Sequence, residues 1–186
     1  RSSDQTEAAA AEGLKNLDMI PHRTLLRNDD NYGLGGSHKV AFRYARQNGF
    51  THVLVIHGDD QGQIADIMPV LERGEHLRYD ACLGARFMPG SRLRGYSRFR
   101  TFGNHVFNLI FSMVTRRRIY DLGSGLHIFS ARVFDDNGID RCADDLRFNI
   151  FSLLCFICKQ RRIVFFPILW TGAGQVSNVK TFSEAY

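Results

Sequence analysis

The 186-residue chain is 44% hydrophobic and 23% charged, which excludes wholesale disorder and suits one domain with a sizeable core. Its net charge of +5 and pI of about 9.2 point to an anionic partner: a nucleotide, a lipid phosphate, a membrane surface or a nucleic acid. No secretory pattern opens the chain, and its longest apolar runs, Val106–Val114 and Ile150–Cys158, contain Asn or Ser and fall well short of the ~20 residues that span a bilayer.

In chain order, Asp4 and Thr6 open an alanine-rich helix that reaches Leu17 and is broken by Pro21. Arg23–Arg27 reads as a short strand and Asn28–Asn31 as a turn. Gly33-Leu-Gly35-Gly36-Ser37 opens a helix to about Gln47, stopped by Asn48-Gly49. Thr51–Ile56 is β-branched and apolar, the pattern of a strand buried on both faces. Ile64–Leu71 reads as an amphipathic helix and Asp80–Gly84 as a second buried strand. Alternating helix and strand with short links predicts an α/β domain with a mostly parallel sheet flanked by helices. No strand precedes the first helix, so the sheet is expected to lack its first strand in this chain.

The second half differs. Met88–Arg100 is a basic loop carrying Arg92, Arg94, Arg98 and Arg100, followed by a helix over Thr101–Thr115 that Arg116–Arg118 close. Phe102, Val106, Leu109, Ile110 and Met113 form its apolar face, expected to pack on the core, with contact to a lipid tail as the alternative. Asp121–Gly125 is a tight turn before a strand at Leu126–Phe129, and Ala131–Phe134 is a helical turn. Asp144 and Asp145 are expected to cap a helix to Lys159, Ile163–Leu169 reads as a last strand, and the tail from Trp170 is polar and glycine-rich. Cys82, Cys142, Cys155 and Cys158 lack the spacing of a zinc site and read as buried free thiols.

Chemistry concentrates where the Thr51 strand ends, in His57-Gly58-Asp59-Asp60-Gln61-Gly62. Ligands of open α/β sheets bind beyond the carboxyl ends of strands, and carboxylates placed there suit a hard cation and a phosphate-bearing ligand. The same acids can simply start a turn and cap the next helix. Gly33, Gly35 and Gly36 at a helix start offer amides to an anion or, equally, room for close packing. Arginines in the basic loop suit phosphate, which a guanidinium grips with two hydrogen bonds.

The order of motifs resembles the inverting family 2 glycosyltransferases, most closely the dolichyl- or polyprenyl-phosphate sugar transferase branch with its GT-A fold. Asp4-x-Thr6, Asn31-x-Gly33-x-Gly35-Gly36, Gly58-Asp59-Asp60-Gln61, Gly84-Ala-Arg86, Asp121-x-x-Ser124-Gly125 and Gln175-x-Ser177-Asn178-x-Lys180 carry the resemblance. It implies a single domain over 1–186, truncated at its amino end, with a nucleotide-sugar half (1–87) and an acceptor half (88–186). It also implies a UDP- or GDP-sugar donor and a divalent cofactor, Mg²⁺ or Mn²⁺. In the metal motif His57 stands at the first Asp and Asp59 at the second, so Asp59, His57 and Asp60 are the implied metal set. Gln61, Gly33 and Lys180 fall with the donor, and Arg86, Arg100 and Asn104 with an acceptor phosphate. Asp121 matches the position of a base or sugar-hydroxyl ligand, or it holds the turn.

Three other readings stay open: a glycosyltransferase acting on a sugar hydroxyl with Asp121 as base, a catalytically silent relative, and a basic nucleic-acid-binding module. Against the last, the basic loop offers only Tyr96 and Phe99 for base stacking, and no nucleic-acid partner is expected. The expected location is the cytoplasm, with peripheral contact at a membrane surface left open.

Overall fold

The computed structural model describes residues 5–15, 22–135 and 137–172. Helices are α1 (Thr6–Lys15), α2 (Gly33–Gln47), α3 (Met68–Glu72), α4 (Glu75–Arg78), α5 (Arg98–Thr115) and α6 (Phe148–Cys158). Strands are β1 (His52–Ile56), β2 (Ala81–Ala85), β3 (Arg92–Arg94), β4 (Leu126–Ser130), β5 (Ile163–Pro167) and β6 (Leu169–Thr171). The main sheet has the order β1-β4-β2-β5. In it β1, β2 and β5 share one direction, while β4 runs antiparallel between β1 and β2. β3 and β6 make a separate parallel pair. The expected α/β sheet flanked by helices is therefore present, with one reversed strand, and it draws strands from both halves of the chain.

Alternation along the strands builds two cores. Ala81 and Leu83 of β2, Phe129 of β4 and Phe165 of β5 face one side, where Phe42 of α2 and Phe148, Leu153 and Phe156 of α6 cover them. Cys82, Leu126, Ile128 and Phe166 face the other, against Val70 of α3, Ile67 of the 3₁₀ turn Ile64–Ile67, and Trp170.

Several local expectations fail for identifiable reasons. β1 was expected to be buried on both faces, yet it is an edge strand and only Val53 and Val55 pack against a core. Leu54 and Ile56 remain exposed, because α3 covers the sheet over β2, β4 and β5 alone. Residues 22–28 form no strand: Thr24 bonds Tyr44 and Arg27 pairs with Glu7, so side chains rather than a ladder tie the segment down. Ile64–Leu71 is a 3₁₀ turn followed by a short α3 instead of one helix. Asp144 and Asp145 do not cap α6, since Lys39 takes the first carboxylate and Arg147 the second. None of the four cysteines forms a disulfide, but Cys158 is exposed.

The glycines at the start of α2 serve packing. A Cβ on Gly35 would lie 2.8 Å from the Phe148 Cβ, and one on Gly33 would lie 2.5 Å from the Asp144 carbonyl oxygen. Gly103 of α5 has nothing within 4 Å of its Cβ position. We expect Gly35→Ala to lower unfolding free energy by ~1–3 kcal/mol through overpacking. Gly103→Ala should raise it by ~0.5–1 kcal/mol through helix propensity. Denaturant titration of the two variants checks both signs.

Candidate active site

Three sequence motifs from distant parts of the chain interlock beyond the ends of β1 and β2. The Ser124 hydroxyl donates to the Gly84 carbonyl at 2.6 Å, and the His57 amide donates to the Gly125 carbonyl at 3.1 Å. Gly125 has φ +77°, and a Cβ there would overlap the His57 ring, so glycine is required on both counts.

At the centre is a buried ion pair. Arg86 Nε donates to Asp121 Oδ2 and Nη2 to Oδ1, each at 2.8 Å. The Arg86 amide adds a bond to Oδ2 at 2.8 Å and the Gly123 amide one to Oδ1 at 3.0 Å. The side chains are 13% and 2% exposed. Burial alone would raise the Asp121 carboxyl, but the Arg86 charge and these four donors hold it below the usual carboxylate range. A carboxylate so occupied is a poor general base. In this structure it holds the turn before β4 through the Gly123 amide.

Arg86 keeps donors in hand. Nη2 also bonds the Gly123 carbonyl, whereas Nη1 makes no hydrogen bond among the described residues. Its guanidinium lies over Phe87 and Trp170 at 5.1 and 5.2 Å and near Tyr96 at 6.0 Å. Arg100 stacks on the same Tyr96 ring at 5.0 Å, and Asn104 Nδ2 donates to the Tyr96 hydroxyl at 3.3 Å. The three residues implied for an acceptor phosphate thus converge on one tyrosine. Tyr96 and Trp170 were missed by sequence reading. The available signals were a tyrosine spaced among arginines and the chain's single tryptophan.

The implied donor side is arranged differently. Asp59 is half-buried and its Oδ1 accepts the Gln61 amide at 3.2 Å, closing a local turn. Asp60 is exposed in the left-handed region at φ 56°. The Gln61 carbonyl takes the Thr171 amide at 2.9 Å, which ties this loop to β6. At the start of α2, the Gly33 amide is taken by the Asn31 side chain and the Gly36 amide by the Asp144 carbonyl. The favourable site for an anion there is partly spent. Lys180 lies outside the described residues.

Among the described residues, no three His, Cys, Asp or Glu side chains are arranged to hold a metal ion. His57, Asp59 and Asp60 are not drawn together as a three-residue group in this structure. The reason lies in His57, whose ring is wedged against Gly125 and sits 5.8 Å from that of His38.

A histidine cluster lies beneath. His38 Nε2, His57 Nε2 and His127 Nδ1 are buried with no hydrogen-bond partner among the described residues. His127 Nε2 accepts the Gly125 amide at 3.3 Å, which assigns the proton to Nδ1. Burial pushes His127 down to about 3 and lowers His38 and His57 as well. A groove of about 660 Å³ is lined by residues of α2 and its approach, including Tyr32, Gly36 and Lys39, and includes none of the converging groups.

A profile described as Glycosyl transferase family 2 matches residues 1–139. The chain belongs to that family. It is a glycosyltransferase domain of mixed α/β, GT-A type, and the family implies a nucleotide-sugar donor and an acceptor. Comparison with individual curated proteins finds no match. In this family 2 glycosyltransferase the interlocked turns belong to the matched span, whereas Trp170 lies beyond it.

Two outcomes follow for the glycosyltransferase. Asp121→Asn leaves Arg86 buried beside a neutral partner and should cost about 3–5 kcal/mol in urea denaturation. A histidine whose folded pKa is lowered contributes stability that is lost as pH falls from about 6.5 toward about 3. Denaturation midpoints should fall across that window, and His127→Gln should flatten part of the slope.

Proposed function

We propose that this domain transfers a sugar, with inversion at the anomeric carbon, from a UDP- or GDP-sugar to a lipid-phosphate acceptor of the polyprenyl-phosphate kind. The observation that carries this reading is the convergence of Arg86, Arg100 and Asn104 on Tyr96 beside a carboxylate that is already spent. A hydroxyl nucleophile needs a base to take its proton, whereas an acceptor phosphate arrives ionised. Asp121, holding Arg86 with both oxygens, is unsuited to that removal, which favours the phosphate over a sugar hydroxyl.

In this reading Arg86 Nη1 and the Arg100 guanidinium orient the acceptor phosphate, and Asn104 adds a donor one turn along α5. Asp59 would be the residue to hold a divalent cation on the donor side. Such a cation, when bound, neutralises charge on the departing diphosphate. His57 fixes the Gly125 turn and shapes the floor beneath the donor. The reaction is placed at a cytoplasmic membrane face, where such an acceptor would be met.

Arg100→Ala should lower transfer to a short polyprenyl phosphate about 10- to 100-fold, the cost of a charge-assisted hydrogen bond. It should leave the thermal shift induced by nucleotide-sugar with Mn²⁺ unchanged, and Asp59→Ala should abolish that shift. Transfer to soluble sugars with polyprenyl phosphate inert would overturn the acceptor assignment.

A further inference from the structure

Helix α5 is inside out. The side chain it buries is Asn108, which donates to the Tyr120 carbonyl at 2.7 Å. Ser112, on the same side, bonds the Ile119 amide at 2.9 Å. Apart from Phe111, which packs partly against the core, its large apolar residues face outward: Phe99 is 81% exposed, Val114 77%, Phe102 68%, Met113 63% and Leu109 60%. Val106, Phe107 and Ile110 are exposed beside them. At 3.6 residues per turn these eight positions fall within an arc of about 160°. The face expected to join the core is thus the one left outside, a reversal of how a surface helix normally packs.

Charge frames this face. Residues 81–120 hold eight arginines and no acid, leaving the remainder of the chain net acidic. Arg98 and Arg100 stand at the start of α5 and Arg116–Arg118 at its end. Among the described residues, neither Arg98 nor Arg116–Arg118 pairs with a carboxylate. α5 is too short of apolar length to cross a bilayer. A long apolar arc with cations at both ends is the pattern of a helix lying in a membrane interface.

Other occupants fit less well. A second copy would bring two sets of unpaired arginines together. Residues 173–186 contain one Phe, one Tyr and two Val, too little apolar surface to cover eight large side chains. We infer that α5 docks this domain on an anionic lipid surface, with its apolar arc in the acyl boundary and its terminal arginines among the headgroups. The inference does not depend on which acceptor is used.

The test is flotation of the purified chain with vesicles of phosphatidylcholine alone and of equimolar phosphatidylcholine and phosphatidylglycerol, neither of which holds a glycosyl acceptor. Binding is expected to the anionic vesicles, weakening as salt rises. Replacing Arg116, Arg117 and Arg118 by serine should weaken it about fivefold per arginine. Phe102→Ser with Met113→Ser should weaken it at least tenfold, with circular dichroism showing the helix content intact. Should the double variant fail to fold, Phe99→Ser alone, at the most exposed position, tests the same arc. No binding by the parent to anionic vesicles overturns the inference. So does undiminished binding by folded serine variants, or a dimer in solution that those variants convert to monomer.

Discussion

The arrangement at the sheet's carboxyl edge depends on one buried ion pair. Taking Arg86 and Asp121 out of water is costly, and the cost is offset because both carboxylate oxygens accept two donors each and three aromatic rings lie within 6.0 Å of the guanidinium. The pair joins the end of β2 to the turn before β4. That turn in turn seats His57, and through it the acidic loop after β1. Remove either charge and the three motifs lose their common anchor. The pair also occupies both Asp121 oxygens while leaving Arg86 Nη1 without a hydrogen bond among the described residues.

The cluster around Tyr96 and the outward face of α5 are continuous. Arg100 and Asn104 belong to the first two turns of the same helix whose apolar arc begins at Phe99. A helix that holds a lipid's phosphate at its start and rests its apolar side on the bilayer would present the site to an acceptor without drawing the lipid out of the membrane. Polar residues on the inner side of α5 are the counterpart of this arrangement. Asn108 and Ser112 satisfy the otherwise unpaired backbone of residues 119 and 120, work that leucines could not do.

Much of the fold was legible in local sequence. The bounds of α2 follow from glycines at one end and Asn48-Gly49 at the other, and β2 and β4 from short apolar runs. Errors arose where a segment's environment is set by something far away. β1 has the composition of a central strand but lies at an edge, because β4 pairs with it on one side and, among the described residues, no helix covers its second face. Arg23–Arg27 has strand-like spacing but, among the described residues, no neighbouring strand to bond. Asp144 and Asp145 have capping chemistry, yet cations from α2 and from Arg147 reach them first.

The site divides in the same way. Residue types and their order along the chain determined the family, the acidic turn after β1 and the arginines suited to phosphate, because these depend on side-chain chemistry at fixed spacing. Periodicity also defined the apolar arc of α5, since that is a property of one helix. Which way the arc faces depends on the bonds from Asn108 and Ser112 to residues 119 and 120, and the pairing of Asp121 with Arg86 on a contact across 35 residues. Only the packed chain decides such questions, because a charge or an apolar face acquires its role from what lies opposite.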